Sequence, residues 1–164
     1  MVLARLAVVA VAALSISGCV FDLSSDEPKP KARAADACPP RDEANWAKMQ
    51  AFLDANKAKD GVKVTESGLQ YRVLREGKGT RHPTWASTVQ VRYKGSLTDG
   101  SVFDENKDPD PAAEFEAGGV IKGWQEALEL MKEGDKFELV IPSGLAYGCR
   151  GKGGKIKGDQ VLVF

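Results

Sequence analysis

Histidine is almost missing from this chain: His82 is the only one in 164 residues, and cysteine occurs three times, as Cys19, Cys38 and Cys149. With a single imidazole, neither a Ser/His/Asp nor a Cys/His arrangement has a positioned base, so covalent and acid–base chemistry of those kinds is excluded. The two cysteines beyond Cys19, Cys38 and Cys149, have no nearby histidine and are too few to make a zinc site. Charge of one sign is also lacking, since 23 Lys and Arg balance 23 Asp and Glu, which argues against the basic stripe that nucleic acid requires. The one local excess, Arg150, Lys152, Lys155 and Lys157 with no acid among them, is short and reads as a solvated loop. Phosphate and calcium motifs fail on inspection. Gly77-Lys78-Gly79 lacks a third glycine, because His82 stands there. Gly151-Lys152-Gly153-Gly154-Lys155 has no Ser or Thr at phosphate-loop spacing. In the acidic run from Asp104, Pro109 takes the place of the turn glycine and Phe115 that of the closing glutamate. No metal and no cofactor are expected.

What is present begins with a targeting signal. Arg5 supplies the positive start, and Leu6 to Ile16 is an apolar run broken only by Ser15, too short for the roughly 20 residues that span a bilayer. It ends in Ile16-Ser17-Gly18-Cys19, which resembles a bacterial lipobox. The resemblance implies a lipoprotein signal peptide over residues 1–18, lipidation at Cys19, and a membrane partner reached through the N-terminal lipid. Val20 in the following position implies the outer membrane, facing the periplasm. Residues 19–41 are proline-rich and poor in large apolar groups, and read as a flexible tether. Export opens the way to a disulfide, but Cys38 lies in a Pro-rich stretch and Cys149 in a glycine-rich loop without framework spacing, and the preferred reading leaves them unpaired.

The remainder carries two helical and several strand patterns. Over 42–60, Trp46, Met49, Phe52 and Leu53 form one helical stripe, which needs a surface to pack on: a second copy of the chain in a homodimer, or the domain that follows. From Gly68, Leu69, Tyr71 and Val73 alternate with polar residues, as do Val89, Val91 and Tyr93, in a run leading through Leu97 to Thr98-Asp99-Gly100, a hairpin signal. Val102-Phe103 and a short apolar run around Phe115 follow. Between 120 and 131 the period changes: Val120, Ile121, Trp124, Ala127, Leu128 and Met131 share one helix face. Alternation returns with Phe137, Leu139 and Ile141 against Lys136, Glu138 and Val140, and the chain finishes Val161-Leu162-Val163-Phe164. A final strand this short is marginal in a central position, so truncation after Phe164 is an expectation. The fold class predicted is α+β, an antiparallel sheet wrapped around one short amphipathic helix, preceded by a short N-terminal helix.

The ordered series Val91-Arg92-Tyr93-Lys94-Gly95, Gly100-Ser101-Val102-Phe103-Asp104, Val120-Ile121-Lys122-Gly123-Trp124, Met131 to Lys136, Ile141-Pro142, Ala146-Tyr147-Gly148 and Leu162-Val163-Phe164 resembles the FKBP-type peptidyl-prolyl isomerases over about 66–164, within a domain read as 61–164. Glu66 to Tyr71 is similar to the junction in exported members related to macrophage infectivity potentiator proteins, whose long dimerising arm is mostly missing here. The resemblance implies an isomerase of X–Pro bonds in exported polypeptides. Tyr93, Phe103, Asp104 and Tyr147 would be its catalytic residues, and Val120, Ile121, Trp124, Ile156 and Phe164 its substrate-binding residues. Trp124 would form the floor, the Ile121 N–H and the Tyr147 hydroxyl would meet substrate carbonyls, and Asp104 would orient rather than carry a proton. A macrolide is a further ligand implied by the resemblance. Ala113, where the family often has an aromatic, and the basic tip with Lys152 and Lys155 depart from its pattern and lower the macrolide affinity expected. The rival reading is an adaptor or chaperone that holds proline segments with little turnover.

Overall fold

The computed structural model describes residues 37–107 and 109–164. The predicted signal peptide, the lipidation site Cys19 and most of the tether lie outside the described residues. Helix α1 (Glu43–Lys57) starts where Asp42 caps it, its carboxylate accepting the Asn45 N–H at 3.0 Å. Strands β1 (Val62–Val64), β2 (Gln70–Arg75), β3 (Thr88–Val91), β4 (Tyr93–Leu97), β5 (Val102–Asn106) and β6 (Ala113–Glu116) follow, then helix α2 (Lys122–Leu130) and strands β7 (Lys136–Ile141) and β8 (Leu162–Val163). Six of them form one sheet in the order β1-β2-β7-β8-β4-β5, and β3 pairs with β6 in a two-stranded ribbon; all these pairings are antiparallel.

The run read as one strand from Val89 to Leu97 is two. Its first half pairs with β6 and its second with β5 and β8, and Arg92 stands at the crossing, where its guanidinium donates to the Asp110 carbonyl at 2.8 Å. The Asp99-Gly100 turn does close the β4–β5 hairpin: Gly100 takes a φ of 85°, and the Asp99 carboxylate accepts the Ser101 N–H at 2.9 Å. Strand β8 is central, and Phe164 extends its pairing through two 2.9 Å backbone hydrogen bonds with Leu139.

α2 lies on one face of the sheet, burying Trp124, Ala127 and Leu128 against Leu69, Leu139 and Ile141. Gly123 lets the helix approach closely, since a Cβ there would lie 2.5 Å from Ile141 Cγ2. Val140, which falls in the polar series of its strand, is nonetheless only 2% exposed, because α1 covers the opposite face with Met49 and Leu53. The stripe on α1 is therefore packed on its own domain. Asn56, buried on the same helix, donates to the Gln70 side chain at 2.9 Å, and Gln70 in turn donates to the Leu53 carbonyl at 3.0 Å, so no partner in this buried amide pair is left unsatisfied by the other.

The structure corrects the reading of the cysteines. Cys38 and Cys149 form a disulfide, with Cα atoms 5.6 Å apart across 111 residues of sequence. Segment 38–45 runs beside the loop 148–159, where Arg41 pairs with Asp159 at 3.8 Å and Asp159 donates its N–H to the Gly148 carbonyl at 2.9 Å. That proximity comes from tertiary packing, which cysteine spacing does not encode.

Candidate active site

The nine residues singled out within the domain converge on one open cavity of about 800 Å³, within the range of small-molecule and cofactor sites. Tyr93 comes from the first position of β4, Phe103 and Asp104 from β5, Val120 and Ile121 from the entry to α2, and Trp124 from its first turn. Tyr147 and Ile156 come from the loop between β7 and β8, and Phe164 from the residue after β8. Ile156 is buried, at 6% exposure. Phe115 on β6 also lines the cavity; the short apolar run around it marks a strand residue and not a wall of the site. A smaller cavity of about 400 Å³, toward Met131 and Phe137, shares only Tyr93, Trp124 and Phe164 of the nine.

Trp124 is the hub. Its ring meets Phe164 at 5.2 Å, Tyr93 at 5.5 Å and Phe115 at 6.1 Å between centroids, each near edge-to-face, and Phe103 meets Phe164 at 5.6 Å in the same way. Such contacts contribute about 0.5–1.5 kcal/mol each beyond burial, so the walls brace one another. The indole N–H has no acceptor among the described residues, so packing and not a hydrogen bond holds the ring. Gly95 makes room for this arrangement: a Cβ there would lie 2.6 Å from the Phe103 ring and 2.8 Å from that of Phe164.

Polar groups are few and placed. The Tyr93 hydroxyl donates to Asp104 Oδ2 at 2.9 Å. Burial, then the hydrogen bond and negative charge of Asp104, push the Tyr93 phenol up to about 12, so it stays protonated throughout the neutral range. Ile121 caps α2 with its carbonyl, which accepts the N–H groups of Trp124 at 2.9 Å and Gln125 at 3.1 Å, while its own N–H has no acceptor among the described residues. Gln125 reaches back and donates to the carbonyls of Gly118 at 3.0 Å and Val120 at 2.7 Å, fixing the loop that presents Ile121. Asp135, whose side chain is 3% exposed, anchors the turn after α2 by accepting the Gly77 N–H at 2.6 Å and the Lys132 N–H at 2.9 Å. No nucleophile–base pair lines the cavity among the described residues; what it offers is aromatic surface, an unused N–H and a hydroxyl held by a carboxylate.

Residues 79–164 match the profile of FKBP-type peptidyl-prolyl cis-trans isomerases. The chain belongs to that family. Residues 26–73 match the domain that lies amino terminal to such isomerases. Among curated relatives, the outer membrane protein MIP of Legionella longbeachae is 46% identical over 122 residues, covering 74% of this chain and 52% of that one. The FKBP-type 22 kDa peptidyl-prolyl cis-trans isomerase of Escherichia coli (strain K12) is 48% identical over 124 residues, 76% of this chain and 60% of the relative. The chain spans about half the length of the curated relatives it matches. Among solved structures, a peptidyl-prolyl cis-trans isomerase of Pseudomonas syringae pv. tomato str. DC3000 superposes with a TM-score of 0.70 at 37% identity, covering 77% of this chain and 92% of that one. The α+β FKBP-type fold read from the sequence is thereby established.

Proposed function

We propose that this chain catalyses cis–trans isomerisation of X–Pro bonds in exported polypeptides, with the proline ring seated on Trp124. The observation that carries the proposal is the convergence of Tyr93, Phe103, Trp124 and Phe164 on one open, largely apolar cavity that no nucleophile–base pair lines among the described residues. The reaction needs no proton transfer. A planar amide owes its barrier of ~18–20 kcal/mol to a charge-separated resonance that is lost when the bond twists. Water stabilises the planar, more polar form, so moving the bond into an apolar site lowers the barrier to the twisted one. Each reduction of ~1.4 kcal/mol is a tenfold gain in rate.

In this scheme Phe103, Phe164 and Val120 enclose the ring, and the Ile121 N–H and Tyr147 hydroxyl hold substrate carbonyls in a turned conformation. Asp104 orients the Tyr93 hydroxyl and supplies a fixed dipole beside the twisting bond. A macrolide would occupy the same surface. Anchoring through a lipid on Cys19, in the outer membrane facing the periplasm, follows from the signal sequence and is supported by a relative named as an outer membrane protein. Slow X–Pro isomerisation limits the folding of many chains, which makes newly exported polypeptides the fitting substrates.

The test is isomerisation of a blocked proline tetrapeptide by the wild type, Phe103→Ala and Asp104→Ala, with peptide affinity measured in parallel. Wild-type acceleration that falls by about tenfold or more in both variants supports catalysis. Equal rates in all three with peptide still bound would make the domain a proline-segment adaptor. Loss of palmitate labelling in Cys19→Ala tests the anchor.

A further inference from the structure

We infer that the cavity also reads charge, and that its tip loop selects substrates bearing a carboxylate on the residue that precedes proline. This rests on the isomerase reading and names the substrate class of the same site. Among the described residues lining the cavity, the groups charged at neutral pH are Asp104, Lys152 and Lys155. Asp104 already accepts the Tyr93 hydroxyl. The two ammonium groups are held by neutral partners instead. Lys155 Nζ donates to the Val102 carbonyl at 2.7 Å, beside Phe103 on β5, and Lys152 Nζ lies 5.4 Å from the centre of the Tyr147 ring. Neither forms an ion pair among the described residues. A carbonyl and an aromatic face fix the position of a cation without cancelling its charge.

The loop is built to hold them there. Lys152 donates its N–H to the Ile156 carbonyl at 3.0 Å, and Ile156 donates to the Gly153 carbonyl at 3.1 Å, which makes a tight turn. Gly153 and Gly154 adopt φ values of 84° and 57°, which side chains disfavour. The buried Ile156 side chain, which lines the same cavity, anchors the turn. When the Tyr147 hydroxyl meets the carbonyl of the X–Pro amide, the side chain of X comes within reach of Lys152. A carboxylate there meets the Lys152 cation and the positive field of Lys155, which lines the same cavity, at the edge of an apolar site where attraction is stronger than in bulk water, while a lysine at X is repelled.

The experiment uses the full chain and blocked tetrapeptides Ala-X-Pro-Phe with X as Glu, Gln, Leu or Lys, the first two being nearly isosteric. Exposed ion pairs of this kind correspond to a Glu over Gln ratio of kcat/KM of about two- to fivefold, with Lys below both. The ratio falls to near one in Lys152→Gln/Lys155→Gln, and also in the wild type at about 0.5 M salt, where screening reaches only a few ångströms. A wild-type ratio near one with Leu–Pro still accelerated overturns the charge inference alone. So does a ratio that the double variant and salt leave unchanged. No acceleration of any peptide overturns the isomerase reading and this inference with it.

Discussion

Removing the disulfide is the perturbation whose size follows most directly from the fold. Cys38 and Cys149 close a loop of 111 residues, and a cross-link of that span removes about 4.8 kcal/mol of chain entropy from the unfolded state at 25 °C in the loop-entropy model. Native disulfides in small exported domains deliver about 2–5 kcal/mol when removed, a large share of the roughly 5–15 kcal/mol that holds a domain together. The cost is little offset, because what holds the freed segment among the described residues is weak: the Arg41–Asp159 pair at 3.8 Å, half exposed on the arginine side, the Arg41–Trp46 stack, and the long 3.5 Å bond from the Asn45 side chain to the Gly158 carbonyl. Helix α1 itself remains docked through Met49 and Leu53, so unfolding stays cooperative. Equilibrium urea unfolding of the wild type, with and without reductant, and of Cys38→Ser/Cys149→Ser measures the difference. At a slope of about 1.5 kcal/mol per molar urea, the midpoint falls by roughly 1.5–3 M in the reduced protein and in the double variant alike. Coincident midpoints for all three at equal slope would refute the reasoning.

Gly95→Ala, which pushes a methyl into the Phe103 and Phe164 rings, costs about 1–3 kcal/mol of stability and lowers isomerisation without altering any wall residue; thermal melts and the peptide assay check both. Gln125→Leu frees the Gly118–Val120 carbonyls and raises KM several-fold with a smaller change in kcat, read from steady-state kinetics. Asp135→Asn leaves its two backbone donors and Lys132 poorly matched and costs about 1–3 kcal/mol, measured by denaturation. Burial opposes ionisation of Asp135, but the bonds from Gly77 and Lys132 outweigh it and hold its pKa below the usual carboxylate value. Its contribution is therefore present above about pH 4 and lost as pH falls through the lower folded-state value, and that acid limb disappears in the variant. For Tyr93, raised to about 12, the sign reverses: the contribution is full below about pH 10 and lost as pH climbs through 12, and Tyr93→Phe removes this alkaline limb of the stability curve.

Much of the site was legible because its residues sit in patterned elements. The face of α2 gave Trp124, Ala127 and Leu128, and the Asp99-Gly100 turn gave the β4–β5 hairpin that carries Phe103 and Asp104. Other features depend on contacts that local pattern does not carry. Val140 reads as polar-side because its cover, α1, comes from far away in sequence. The Val89–Leu97 run looks continuous because alternation persists when a strand passes from one ladder to another. The buried Asn56–Gln70 pair and the Cys38–Cys149 bond are meetings of distant segments. Phe115 was visible as a strand residue but not as a wall, since only the packing of β6 beside Tyr93 and Trp124 puts it in the cavity.

The most direct measurement of a proton-inert, desolvating site is kcat/KM for a blocked Leu–Pro peptide across pH 6–9, in light and heavy water. Acceleration at every pH, a flat profile and a solvent isotope effect near one are expected, because no histidine lines the cavity and its Tyr93 phenol stays protonated. A bell-shaped profile with an isotope effect of about two or more would place proton transfer in the rate-limiting step and contradict a proton-inert site.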